Sequence, residues 1–302
     1  MTHYTIRTAV WLLAGPLFFA NAETLALNKA FVQKVMNKAT IGATLEVDVH
    51  PNKPHSISKG GDDGDIHMAG RANEIGLPLV AEIVNARMEA KALDALNHTS
   101  PDKPLAVEGA WRIWFEHLGT KPQVQGQKVP VPTTSNPNHL FEIHPVSVFG
   151  GVRVLDSFQP IPNYTAYPAK TAFSFYEKAA ASIQATATAI MIDSGEGKYN
   201  YAEFVIELAG SPQDVGDGYM ALANVFDSNA ESPVTAAPRR MVFVKGTDPA
   251  NQVKALQKGG TLHVLGIPRV NLAEVFAIAQ KSKKSSKVAL PYEMIVVAVL
   301  PD

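Results

Sequence analysis

The same order of elements appears twice in this chain, on either side of a break near residues 150–168, and that recurrence limits the fold more than any other feature. The break carries Gly150-Gly151 and then Pro160, Pro162 and Pro168, which interrupt helical and strand patterns alike. Before it, the spacing of Leu27, Phe31, Val32 and Val35 predicts a helix over 25–38, and alternation predicts a strand over 43–49. Strands at 64–70 and 79–84 follow, then a helix over 87–96 with Met88, Ala92 and Leu96 on one face. A strand at 105–117, a Pro/Gln-rich loop over 121–138 and a strand at 139–149 complete the first half. The second half runs helix 171–181 and strands 186–193, 199–208, 219–226 and 241–245. A helix over 248–256 then starts with Asp248 as N-cap and Pro249 behind it, before strand 261–267, an added helix 271–280 and strand 293–300.

Strands in sequence with a single helix before the last two match the partly open Greek-key barrel known as the OB-fold. The expected fold is therefore mainly β with few helices, as two tandem OB-like five-stranded barrels, with a pair of β-sandwiches as the competing topology. The first barrel is expected over 23–149, a linker over 150–168 and the second barrel over 169–302. About 280 residues after position 22 also favour two cores over one.

Residues 1–22 read as a signal peptide. Arg7 precedes an apolar run, and Ala20-Asn21-Ala22 supplies the small residues that signal peptidase reads. The expected location is outside the cytoplasm, periplasmic or secreted, with no transmembrane segment in the mature chain, since no later stretch approaches about 20 apolar residues. There is no cysteine, so stability comes from packed cores without disulfides. With Arg7 removed, 26 basic side chains face 28 acidic ones, which disfavours general binding to nucleic-acid backbones.

Two strands carry the chemistry. In Asp65-Ile66-His67 the acid and the imidazole share one face, and in Glu142-Ile143-His144 they do so again. Such groups on otherwise buried strands need partners. Seven of the eight histidines after position 22 lie between residues 50 and 144, as a metal site would arrange them. Asp65, His67, Glu142 and His144 are the candidate ligands for a divalent ion, zinc or calcium. His117 on the fourth strand can join them, and Glu82, the only charge in an apolar run, either faces solvent or pairs at the site. Trp114 beside Arg112 can stack a sugar or a base, or lie buried under the long loop. Asp62, Asp63 and Asp65 are spaced like a calcium loop, but Asn73 stands where an EF-hand needs its distal Glu. No P-loop, dinucleotide fingerprint or nucleophile elbow is present.

Gly64-Asp65-Ile66-His67, together with Phe141-Glu142-Ile143-His144-Pro145-Val146, resembles a group of often exported bacterial proteins with a DGDxH strand and a closing E(L/I)HPV strand. The resemblance covers residues 43–149 and implies an OB-like first domain, but no activity. The second half departs from it, with Glu293-Met294-Ile295-Val296-Val297 in place of the histidine strand.

The function expected from these features is that of an exported two-barrel binding protein, with Asp65, His67, Glu82, Trp114, His117, Glu142 and His144 around a small molecule, carbohydrate or oligonucleotide. A metal-dependent hydrolase of nuclease or esterase type using the same residues is the alternative, and a structural or interaction role the third. Signal cleavage gives a first test: protein from its native host should have an intact mass that begins at Glu23, and soluble cytoplasmic protein that starts at Met1 overturns the expectation of export.

Overall fold

The computed structural model describes residues 22–57, 63–228, 232–281 and 285–301. The expected signal peptide up to Asn21 lies outside them, as does Asp62 of the acidic loop. The described chain begins with β1 (Glu23–Asn28) and α1 (Lys29–Val35). The predicted helix over 25–38 is thus a strand for its first turn, because Leu25 and Leu27 alternate inward as well as they would fit a helix. Next come β2 (Thr40–Val49), β3 (Ile66–Arg71), β4 (Leu79–Ile83), α2 (Ala90–Asn97), β5 (Leu105–His117), β6 (Gln123–Val124), β7 (His139–Phe149) and β8 (Val152–Arg153). On α2, Ala92 and Leu96 are buried as predicted, while Met88 precedes the helix and is exposed.

The second half contains β9 (Tyr167–Pro168), α3 (Ala169–Tyr176), the hairpin β10 (Ala180–Ala185) and β11 (Ala189–Ser194), then β12 (Ala202–Leu208), β13 (Gln213–Asp214), β14 (Gly218–Phe226) and β15 (Arg239–Val244). It ends with α4 (Asp248–Val253), β16 (Thr261–Val270), α5 (Leu272–Lys281), β17 (Ser286–Ala289) and β18 (Tyr292–Val299). The N-cap of α4 is Thr247 rather than Asp248, since its hydroxyl accepts from the Ala250 N–H.

Both halves close into five-stranded barrels. In the first, β3 pairs with β2 and β4, β5 pairs with β2 and β7, and a parallel β4–β7 pairing shuts the ring. In the second, β14, β15, β12, β16 and β18 repeat every one of these pairings, with β15–β18 as the parallel closure. Each barrel has its helix between the third and fourth strands, α2 in one and α4 in the other. This is OB topology twice over. Closure removes the sheet edges that would otherwise invite pairing with other chains. Gly109 and Gly266 sit beside register shifts at matching places, and a Cβ on Gly109 would lie 2.4 Å from the Pro145 carbonyl.

The barrels are joined closely. β1 pairs with β11, so strands from both halves share a third sheet in the order β17-β10-β11-β1-β6. Residues 150–168, expected as a linker, are packed: Phe158 is fully buried, Ser157 Oγ donates to the Val84 carbonyl, and Asn85 Nδ2 donates to the Asp156 carbonyl. The fourth strand of each barrel sends an arginine into the other. Arg112 Nε donates to the Pro268 carbonyl at 2.9 Å, and Arg269 Nη1 donates to the Trp111 carbonyl at 3.0 Å. Each arginine also meets a glutamate across its own sheet, Glu142 for Arg112 and Glu293 for Arg269. Arg269 lies over the Trp111 ring at 3.6 Å and reaches the Lys38 and Ala39 carbonyls. Such a reciprocal contact is what an isologous dimer makes, here within one chain.

Removing one partner of a buried ion pair leaves the other uncompensated and costs about 3–5 kcal/mol. Arg240 also reaches Glu293 and softens the loss. Arg269→Met is therefore expected to destabilise the protein by about 3 kcal/mol in urea unfolding, and a change below about 1 kcal/mol removes the pair from the list of structural determinants.

Candidate functional site

A cavity of about 210 Å³ lies where the first barrel meets the start of β12. His67 on β3 and Glu82 on β4 face each other in the antiparallel register, and His144 projects from β7. His55, Asp63 and Asp65 come from the chain ahead of β3, and β5 contributes Glu116 and His117 at its end. Asn200 and Tyr201 come from the second half.

These groups form one connected network. Asp65 Oδ1 accepts from His55 Nδ1 at 2.9 Å, and Asp65 Oδ2 contacts His67 Nε2. Glu82 joins the two strands that the sequence singled out, with Oε1 3.6 Å from His67 Nε2 and Oε2 2.8 Å from His144 Nδ1. Glu142 Oε2 takes His144 Nδ1 at 3.3 Å and Arg112, while its Oε1 takes His139 Nε2 at 3.1 Å. Arg112 also donates to Glu116 and to Asn200 Oδ1, both at 2.7 Å. Tyr201 O–H meets His144 Nε2 at 2.7 Å and hydrogen-bonds Asp63. Among the described residues, His67 Nδ1 is buried with no hydrogen-bond partner.

Charge is the controlling quantity. Asp63, Asp65, Glu82, Glu116 and Glu142 are five carboxyls served by a single guanidinium, Arg112. Four uncompensated negative charges in so dry a place are unsustainable, so cations must enter as protons or as metal ions. In the metal-free protein protons do this work. Burial opposes a charged His67, but Glu82 and then Asp65 overcome it and raise its pKa to about 10. His144 is raised in the same way by Glu82 and Glu142, and His117 by Glu116. Burial, reinforced by Asp65, pushes Asp63 up to about 8. Asp65 and Glu142 stay ionised despite burial, Asp65 through His55 and His67, Glu142 chiefly through Arg112.

Of the residues nominated from the sequence, Asp65, His67, Glu82, His117, Glu142 and His144 come together, and Trp114 does not. Trp114 is buried and stands off the cavity, edge-on to Tyr176, with Gly197 packed so closely on its indole that a Cβ there would lie 2.6 Å from Nε1. His139, on the opposite parity from His144, would be set aside by strand alternation, yet it is fully buried against Glu142. The reason is a register shift between Ile113 and His117, which breaks the alternation and leaves His139 opposite and stacked on His117. Arg112, Asn200 and Tyr201 were not legible as site residues, because two lie in the other half and the third looks like one more strand arginine.

The second barrel shows what the frame looks like without the site. Met220 faces Val242 as His67 faces Glu82, and Ile295 follows Met294 as His144 follows Ile143. Met220 and Val242 form a small apolar cluster with Ala39. Besides the buried arginine–glutamate pair, the barrels share a hydroxyl contact: Thr40 places its hydroxyl on Asp217 of the other barrel, as Tyr201 does on Asp63. No protein-family model matches this chain, and no curated protein matches it.

A raised folded pKa for His67 contributes stability that is complete below about pH 6.5 and is lost as pH rises through about 10. Asp63 has the same sign, since its folded form holds a proton up to about pH 8 that the unfolded chain has released. Metal-free protein should therefore lose stability on the order of 5 kcal/mol between pH 6.5 and 10, most of it through His67. His67→Gln should flatten that slope in urea titrations run in chelator, and an unchanged slope in the variant rules His67 out as the source.

Proposed function

We propose that the protein is a metal-binding protein whose first barrel holds a divalent ion of the zinc class through His55, Asp65, His67 and Glu82. The observation that carries this reading is the excess of buried carboxyls over fixed cations, which one divalent ion relieves as protons leave. The spacing supports it. Ligand atoms of His55, Asp65 and His67 all lie within 4.8 Å of one another, and Glu82 Oε1 stands 3.6 Å from His67 Nε2 to supply a fourth. Two imidazoles in the set favour zinc over calcium, which prefers all-oxygen shells. An acid-rich wall repels phosphate backbones, and the burial of Trp114 away from the cavity removes the indole that could have stacked a sugar or a base.

A second reading, metal-dependent hydrolysis, is favoured by the room that the cavity leaves beside these groups and by the hydroxyl and amides of Tyr201, Asn136 and Asn200 on its wall.

Chelator-stripped protein should bind zinc with an affinity that rises steeply with pH, because protons must leave. Outer-shell changes at metal sites cost about 10–100-fold, so loss of a ligand in Asp65→Asn should weaken this site by more than about 100-fold. Isothermal titration in two buffers of different ionisation enthalpy measures both effects. Zinc binding that is absent, or independent of pH and of Asp65, overturns the reading.

A further inference from the structure

We infer that the same network takes a second ion of the zinc class, held by His117, His139 and Glu142. Each of the three offers a ligand atom, and these atoms lie within 4.8 Å of one another. The direction of the hydrogen bonds at His139 argues for a cation. Its Nδ1 lies 2.7 Å from the Pro137 carbonyl, which can only accept, so the proton of a neutral ring is on Nδ1. Its Nε2 then turns a lone pair toward Glu142 Oε1 at 3.1 Å. Two buried acceptors facing each other need a cation between them, and a ring whose Nδ1–H donates to a backbone carbonyl is oriented as metal-bound histidines usually are, with Nε2 left for the ion.

His117 supplies the third ligand and the route in. Its ring stacks on His139 with centroids 4.6 Å apart, its side chain is about one-third exposed, and it lines the cavity. Arg112 holds Glu142 through Oε2, so Oε1 is the oxygen free to turn to an ion. That same guanidinium disfavours the neighbouring trio of Glu82, Glu142 and His144, where an ion would meet Arg112 across one carboxylate oxygen and His144 Nδ1 already faces Glu82. The inference extends the reading above without depending on it, because it shares no ligand with His55, Asp65, His67 and Glu82.

The test uses the full chain stripped of metal, titrated with zinc alone, and read by native mass spectrometry and by the imidazole ¹⁵N resonances. Wild type should take two ions, His117→Gln one and His55→Gln one. The substitution at partly exposed His117 should weaken its ion by more than about 100-fold with the fold intact by circular dichroism. In unsubstituted protein the second equivalent should shift the His139 and His117 Nε2 resonances, so the conclusion survives a variant that misfolds. A single ion lost in His55→Gln and kept in His117→Gln overturns the second site and leaves the first. A single ion lost in His117→Gln and kept in His55→Gln does the reverse, and no bound zinc overturns both.

Discussion

The architecture depends on Arg112. Its guanidinium is fully buried and bonds Glu142, Glu116, the Pro268 carbonyl and Asn200. A group of that kind is tolerated inside a protein only when its donors are satisfied, and here partners come from both barrels. The site and the junction between barrels are therefore parts of one electrostatic object. Glu142 is where they meet, with one oxygen on the arginine and the other on His139. Whatever changes the charge around Glu142 is felt at the seam with Pro268 and Asn200.

Much of the barrel fold was legible because short alternating strands and one internal helix admit few arrangements, and because the pattern occurs twice. What escaped was set by long-range partners. Leu25 and Leu27 satisfy a period of two as well as a helical stripe, and only the presence of Ile190 and Ile192 across from them decides for a strand. In the site, i, i+2 spacing correctly placed Asp65 with His67 and Glu142 with His144. Glu82 proved to be the residue that joins the two pairs, which an isolated charge in an apolar run hints at but cannot prove. His139 was lost to a bulge, and Tyr201 to the 57 residues that separate it from His144.

The two barrels illustrate how one frame hosts chemistry and its absence. Exchanging His67, Glu82 and His144 for Met220, Val242 and Ile295 converts a charged cavity into ordinary core without altering the strand pairings. The buried arginine and glutamate remain in both, Arg112 with Glu142 and Arg269 with Glu293, because each pair ties the seam, and only in the first barrel does the glutamate also bond histidines. Polar groups kept in both copies therefore include those that hold the seam, and those confined to one copy mark where the halves differ in role.

Strand β1 adds a constraint on the order of events during biosynthesis. Its partner β11 lies more than 160 residues later, at 189–194, so β1 is synthesised before the first barrel yet meets β11 only after all of that barrel's strands have been made. Closing so large a loop is slow compared with forming contacts inside the first barrel, whose strands all fall within 40–149. The first barrel can close while Glu23–Asn28 has only the short β6 beside it and the edge that takes Ile190 and Ile192 is still unpaired. Until the hairpin of β10 and β11 arrives, that strand keeps an open edge of the kind that invites pairing with other chains.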